Sequence, residues 1–171
     1  MRHESQGSIR LSSSKSATIE AVLQRDYPDQ VCSIARSLEV VGERWTLLIV
    51  RDVFLGKRRF DELQESLGIA RNVLTDRLNR LVDEGILERV PYSERPVRYE
   101  YRLTTKGLDL NVALTALRQW GDTYLSEAPP RLLRTRTGRK PVVAGLVPKG
   151  TRVLGWGDVE TVAGPGATRV G

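Results

Sequence analysis

Apolar residues recur at helical spacing in four successive stretches between residues 32 and 85. In chain order these positions are Ile34, Ala35, Leu38 and Val41; Trp45, Leu48, Ile49 and Val53; Phe60, Leu63 and Leu67; and Val73 or Leu74, Leu78, Leu81 and Val82. A spacing of three to four residues places such side chains on one face of a helix. Each stretch is followed by a glycine, the residue most common just beyond a helix C-terminus: Gly42, Gly56, Gly68 and Gly85. The pattern predicts four short helices, each with one buried face.

A period of two replaces the helical period after Gly85. The apolar positions Val97, Tyr99, Tyr101 and Leu103 alternate with Arg98, Glu100 and Arg102, and prolines 91 and 96 bracket a turn. Alternation of this kind indicates a β-hairpin. A four-residue tip from Ser93 to Pro96 would place Arg89 opposite Glu100, a favourable cross-strand pair.

A long helix is predicted next, from Thr104 or Thr105 to about residue 125. Its apolar residues cover more than one stripe, whereas a surface helix needs only one. The surplus stripe requires a second partner, and a symmetric dimer would provide it. The predicted dimer interface consists of Leu110, Leu114, Leu117, Trp120 and Tyr124.

These elements predict a mainly α fold with a small β-wing (α+β), a winged helix-turn-helix followed by a short β-rich or irregular C-terminal appendage. The predicted organisation is a flexible N-terminal segment (1–29), a DNA-binding and dimerisation domain (30–128) and the appendage (129–171). Within the appendage, short strands are expected at 140–147, 151–157 and 158–164.

Charge is unevenly distributed along the chain of 171 residues, whose formal net charge is +6. Residues 32–126 carry fifteen basic and fourteen acidic groups, whereas residues 127–171 carry eight basic and three acidic groups. The total charge therefore says little about the helical region. Local clusters matter more there, and the basic turn "GKRRF" at 56–60 is the densest.

Several classes of protein are disfavoured by composition. No apolar run approaches the roughly 20 residues that span a bilayer, and the first residues lack the apolar core of a secretory signal. A cytoplasmic protein without a membrane partner is expected. The single cysteine excludes an intrachain disulfide, and no metal site or cofactor is predicted. The only histidine is His3, and no phosphate loop or Ser-His constellation is present, so no enzymatic activity is expected.

The polar face of the fourth helix, after a preceding helix and before a wing, has the residue types that read duplex DNA. Arginine can bridge guanine and asparagine can bridge adenine in the major groove. The predicted recognition residues are Arg71, Asn72, Thr75, Asp76, Asn79 and Arg80. The predicted backbone and wing contacts are Lys57, Arg58, Arg59, Arg77, Arg95 and Arg98. For each residue alone, an ordinary solvated side chain is the competing interpretation.

The central region resembles the HxlR-type winged helix-turn-helix regulators of bacteria. The matching pieces are "GERWTLLI", "GKRRFDEL", "VLTDRLNRL", "EGIL" and "RYEYRLTTKG", within residues 31–126. The resemblance implies a homodimeric, sequence-specific transcriptional regulator of double-stranded DNA, with a small-molecule or electrophile effector as a candidate partner. Some members of the family have cysteine pairs in their tails, which are absent from this chain, so a zinc role is not expected.

Cys32 has two interpretations. It lies near a helix N-terminus, where the dipole favours the thiolate, and several members of the family that this chain resembles use a cysteine at this place as a redox or electrophile sensor. The alternative is a small buried residue in a core. Both interpretations stay open from the sequence.

The function predicted from these features is operator binding by a homodimer. Two recognition helices would enter successive major grooves about 34–36 Å apart, so the operator would be roughly palindromic. Repression is favoured over activation. The competing hypothesis is a winged helix that docks other proteins and binds no operator, because a fold does not fix its function.

Overall fold

The structure is a computed structural model that describes residues 32–167. The chain divides into two compact units, Met1–Gly42 and Glu43–Gly171. In the first unit, helix α1 spans Ser33–Val41, where the apolar spacing predicts a helix. The predicted flexible segment 1–29 lies outside the described residues.

The second unit begins with the helix-turn-helix. Helix α2 spans Thr46–Phe54, α3 spans Phe60–Leu67 and α4 spans Arg71–Asp83. Their apolar faces and the start of the wing form a core whose fully buried aliphatic side chains include Ile49, Val50, Leu63, Leu74, Leu78, Leu81, Ile86 and Leu87. Helices with small antiparallel sheets confirm the predicted fold class.

A tight turn connects α3 to α4 and fixes the start of α4. Gly68 ends α3 with a φ of 60°, in the left-handed region that favours glycine. Its N–H donates to the carbonyl oxygen of Gln64 at 2.9 Å. Helix α4 then begins after Ala70, which makes no side-chain capping bond. The free N–H groups in the first turn of α4 are therefore left without a side-chain cap.

The start of α3 is capped by Glu62. Its Oε2 atom accepts hydrogen bonds from the backbone N–H groups of Arg58 and Arg59, each at 2.9 Å. These two hydrogen bonds, that of Arg59 first, lower the pKa of Glu62. The carboxylate therefore fastens the basic turn to the helix that follows it, as in half of a capping box.

We expect Glu62→Ala to lower the free energy of unfolding by about 1 kcal/mol at neutral pH, the usual cost of losing a cap. Because the folded pKa is depressed, this contribution is present above the unfolded value of about 4.3 and is lost as the pH falls through the folded value. Urea unfolding of both proteins at pH 7 and at low pH would measure it. Glu65→Ala, an exposed glutamate of the same helix, is the control, and equal losses in both variants would contradict the capping role.

The wing is an antiparallel hairpin of β1, Leu87–Glu94, and β2, Val97–Leu103. The prediction that Arg89 pairs with Glu100 is wrong, because Arg89 lies opposite Tyr101. The hairpin closes through a two-residue connection instead of four, and the register shifts by one between Pro91 and Ser93. Tyr92 is the extra residue of this bulge.

The basic turn before α3 is attached to the wing by one isolated β-bridge. Arg59 forms an antiparallel bridge with Glu100 of β2. The N–H of Tyr101 donates to the carbonyl oxygen of Arg58 at 2.8 Å. Backbone hydrogen bonds therefore tie the wing directly to the helix-turn-helix.

Helix α5 spans Thr105–Tyr124 and follows the wing directly. Thr104 is its N-cap, since the threonine hydroxyl oxygen accepts from the N–H of Gly107 at 3.2 Å. The Thr104 hydroxyl itself donates to the carbonyl oxygen of Gly85 at 2.6 Å. A Cβ on Gly107 would overlap the carbonyl oxygen of Ile86, so only glycine allows the helix to approach the wing this closely.

The appendage contains a second hairpin, of β3, Arg131–Thr135, and β4, Val159–Ala163. The strand predicted at 158–164 matches β4, whereas β3 was not predicted. The strands predicted at 140–147 and 151–157 are wrong: neither segment pairs as a strand, apart from one bridge of Pro141 to Arg134. Proline lacks the N–H that a ladder requires, and two prolines fall within or just after the first of these segments.

Candidate nucleic-acid interface

The polar face of α4 is open to solvent. Leu74, Leu78 and Leu81 are buried on the opposite face. The exposed side chains on the polar face are Arg71, Asn72, Thr75, Asp76 and Asn79. Five of the six predicted recognition residues are therefore accessible to a partner along one side of the helix.

The first turn of α4 holds its side chains in defined positions. The guanidinium group of Arg71 lies over the ring of Phe60, 4.7 Å from the ring centroid, a distance at which cation–π attraction acts. The hydroxyl of Thr75 donates to the carbonyl oxygen of Arg71 at 2.9 Å. Since its proton is used, the Thr75 oxygen can only accept from a partner in this arrangement.

Arg77 and Arg80 are engaged within the chain by Glu43. Arg77 lies 2.5 Å and Arg80 3.4 Å from the carboxylate oxygens of Glu43. Arg77 also donates to the carbonyl oxygen of Arg44 at 3.4 Å. The Arg77–Glu43–Arg80 cluster joins α4 to the residues that precede α2, so a DNA contact by either arginine would compete with this pairing.

The basic turn contributes one fully available cation and two constrained ones. Lys57 donates to the hydroxyl of Ser66. The guanidinium group of Arg59 lies 4.6 Å from the ring centroid of Tyr92 on the wing. The side chain of Arg58 is exposed and makes no ion pair or ring contact with the described residues, so it is free to approach a phosphate.

The wing presents a row of arginines. Arg95 and Arg98 are exposed at its tip. Arg89, which the sequence interpretation assigned to a cross-strand ion pair, lies over Tyr99 at 4.4 Å from the ring centroid. Arg102 is held by Glu100 at 2.5 Å. Arg89 is thus a basic residue of this surface that sequence reasoning missed, because its assigned partner depended on the wrong register.

Cys32 precedes α1 as its N-cap residue and is exposed. The backbone N–H groups of Ala35 and then Ile34 lower the pKa of its thiol. Interaction with a helix N-terminus favours the thiolate, which is the reactive form. An exposed thiol with a lowered pKa is the arrangement that the sensor interpretation requires.

We expect iodoacetamide to alkylate Cys32 in the native protein with a midpoint below the ordinary thiol pKa of about 8.5. The alkylation rate should rise with pH and level off at a lower pH than for N-acetylcysteine measured in parallel. Because the chain has one cysteine, the incorporated label reports on this residue alone, and Cys32→Ser is the blank. If labelling occurs only after denaturant is added, Cys32 is a buried packing residue and not a sensor.

The exposed face of α5 is strongly apolar. Trp120 is 53% exposed and Tyr124 is 70% exposed, with ring centroids 5.6 Å apart. Leu117 and Val112 are also exposed on this helix. Of the other predicted interface residues, Leu110 and Leu114 are half-buried.

Within residues 32–167, no helix is long and apolar enough to cross a membrane. The same residues contain no group of three or more His, Cys, Asp or Glu side chains that could hold a metal ion.

A helix-turn-helix whose second helix exposes a polar face beside an arginine-bearing wing defines a winged-helix DNA-binding protein. The model of the HxlR-like helix-turn-helix family matches residues 40–129. The chain belongs to this family, and it is a transcriptional regulator with a helix-turn-helix DNA-binding fold.

Similar proteins agree with this assignment. Rv3095 of Mycobacterium tuberculosis strain H37Rv, named an uncharacterized HTH-type transcriptional regulator, is 55% identical over 107 residues, 61% of this chain and 68% of its own. PA1607, solved as a candidate transcription factor, has 43% identity and a TM-score of 0.63 over 72% of this chain and 94% of its own. PA1374 from Pseudomonas aeruginosa, also a candidate transcription factor, has 44% identity and a TM-score of 0.50 over 81% and 96%.

Proposed function

We propose that this protein is a sequence-specific operator-binding regulator that acts as a homodimeric repressor. The observation that carries the proposal is the exposed polar face of α4, with Arg71 and Asn72 in its first turn. In helix-turn-helix proteins the N-terminal residues of the second helix contact base edges. The proposal places base readout on Arg71, Asn72, Thr75, Asp76 and Asn79.

Phosphate contacts are assigned to the basic turn and the wing. Arg58 is the most accessible cation of the turn, and Arg95 and Arg98 are exposed at the wing tip. Such contacts supply affinity and register without sequence information. Lys57 and Arg59 have intramolecular partners and take part in this proposal as secondary contacts, as do Arg77 and Arg80.

The homodimer is assigned to the apolar face of α5. A second copy of the same face would bury Trp120 and Tyr124 around a two-fold axis. Two recognition helices related by that axis call for a palindromic operator with half-sites about one helical turn apart. The unit with both functions is proposed as residues 30–128, flanked by segments 1–29 and 129–171, and its site of action is the cytoplasm, where bacterial DNA lies.

Two kinds of signal are proposed to control operator occupancy. Cys32, with its exposed thiol of lowered pKa, is the candidate for redox or electrophile sensing. A small-molecule effector is the other candidate. Neither signal is needed for operator binding itself.

Selection of duplexes from a random-sequence pool would test operator binding. We expect enrichment of an inverted repeat, and binding to it at least about 1,000-fold tighter than to random duplex at physiological salt. The near-neutral balance of residues 32–126 leaves protein docking as the alternative. If no sequence is enriched, and the amount of DNA retained does not change with salt concentration, the protein makes no phosphate contacts. That result would favour the alternative.

A further inference from the structure

A cavity of about 250 Å³ lies between α2, α5 and the β3–β4 hairpin. Its walls are mainly apolar and include Leu48, Phe54, Leu114 and Leu133. Ligand sites are typically concave and apolar, with a few polar groups that fix orientation. A cavity of 150 Å³ in another protein already accommodates benzene, so this one has room for a larger ring system.

The charged groups that line this cavity are all arginines. They are Arg51, Arg118 and Arg131, and no carboxylate is among the lining residues that the structure describes. Arg51 is neutralised by Asp52, 2.7 Å away. Arg131 is exposed at the start of β3. The electrostatic environment of the cavity is therefore positive, in contrast to its apolar walls.

Arg118 is the polar group of this cavity that lacks a hydrogen-bond acceptor for one of its donors. Its Nε atom is buried and has no hydrogen-bond partner among the described residues. A buried donor without an acceptor is costly, and arginine remains charged under all ordinary conditions. Arg118 also lines the cavity, so a small shift of its side chain would bring this donor to an anionic oxygen bound there.

The appendage closes one side of the cavity and is fixed to α5. The N–H of Ala144 donates to the Oε1 atom of Gln119 at 2.9 Å. Leu133 of β3 is 7% exposed and Val159 of β4 is 3% exposed, so the hairpin packs through apolar side chains. The hairpin lies beyond residue 129, where the family match ends, so this wall of the cavity lies outside the matched family region.

We propose that this cavity binds a small apolar carboxylate, such as a one- or two-ring aromatic acid. The ring system lies against the leucine and phenylalanine walls, and the carboxylate accepts hydrogen bonds from the guanidinium groups of Arg118 and Arg131. An arginine fork suits a carboxylate because both groups are planar and can form two parallel hydrogen bonds.

The position of the cavity gives the ligand a regulatory role, and this part rests on the proposed function. The ligand would contact α2, which packs on α3 and α4, and also α5, which carries the proposed dimer face. Occupancy would therefore bias the position of the helix-turn-helix relative to the dimer helix, and with it the separation of two recognition helices.

Calorimetric titration of the full chain with 2-naphthoate, in the absence of DNA, tests the site. We expect saturable binding with a Kd below about 1 mM, and binding of the neutral 2-naphthamide weaker by about tenfold or more. Arg118→Gln should remove this difference between acid and amide. Arg136→Gln, which removes an exposed arginine of the appendage outside the cavity, should leave it unchanged.

Three outcomes would overturn the proposal: no saturation by 2-naphthoate, equal binding of acid and amide, or an acid preference that persists in folded Arg118→Gln. If that variant does not fold, the NMR signal of the Arg118 Nε–H group in the natural protein replaces it. Titration with 2-naphthoate should shift that signal, and binding without a shift overturns the site. Because no DNA is present, failure of operator binding would not affect this result.

Discussion

Trp120→Asp should convert the protein to a monomer at micromolar concentration and weaken operator binding about 100-fold or more. A charge placed in an apolar interface must be desolvated without a partner, which strongly disfavours association. Loss of the dimer removes the second half-site contact, and with it an avidity gain of about 100- to 10,000-fold. Trp120 is 53% exposed in the single chain, so the substitution does not disturb a buried core.

Analytical ultracentrifugation and operator titration would measure both effects. Leu146→Asp is the matched control, because it places the same charge on a fully exposed leucine of the appendage and should leave mass and affinity unchanged. A natural protein that sediments as a monomer would contradict the proposed interface. If the Trp120→Asp variant remains a dimer, the interface lies on another surface of the protein.

The second large effect is expected from substitution of residues that contact bases, compared with substitution of residues that contact phosphates. Asn72→Ala should weaken operator binding by about 1–3 kcal/mol and relax the base preference at one position of each half-site. Arg71→Ala should act in the same way, with a further loss of its packing on Phe60. Both residues lie at the exposed N-terminal end of α4, where contact with base edges is expected.

Arg58→Ala is the contrasting variant. It should weaken binding to operator and random duplex nearly equally and reduce the slope of log K against log salt by about one unit, since one phosphate contact releases about one counterion. Titrations of all three variants at several salt concentrations would distinguish the two kinds of contact. Identical behaviour of Asn72→Ala and Arg58→Ala on both duplexes would show that the two roles are wrongly assigned.

The positions of the helices could be predicted because local signals agreed. Apolar periodicity marked the buried faces of α3 and α4, and Gly68 marked the turn between them. The absence of a side-chain cap at Ala70 is likewise local, because alanine has no polar side-chain atom. These features depend on neighbours within one or two turns of helix, which a sequence displays directly.

Features that depend on distant residues could not be predicted in the same way. The Arg77–Glu43–Arg80 cluster joins residues more than thirty positions apart, so both arginines looked like free cations in the sequence. The two-residue connection shifted the wing register by two positions from the predicted one, and the bulge at Tyr92 reversed only one of them, so Arg89 faces Tyr101 and not Glu100.

The appendage illustrates the same limit. Strand β3 pairs with a strand that begins 24 residues after β3 ends, with Arg134 bound to Glu160 at 2.7 Å. The sequence indicated a domain boundary after residue 128 and strands later in the appendage, but no strand at β3. The cavity behind this hairpin could not be predicted at all, because it depends on three elements that meet only in the folded chain.

The bridge between Arg59 and Glu100 has a consequence for the DNA that this protein would accept. Because the backbone of the basic turn is hydrogen-bonded to the wing, the distance between the wing tip and α4 is fixed. The stretch of duplex between the bases read by α4 and the phosphates touched by the wing would then have constant length. One base pair inserted there would move the wing contact by 3.4 Å along the helix axis and about 36° around it, so half-sites should vary in sequence but not in length.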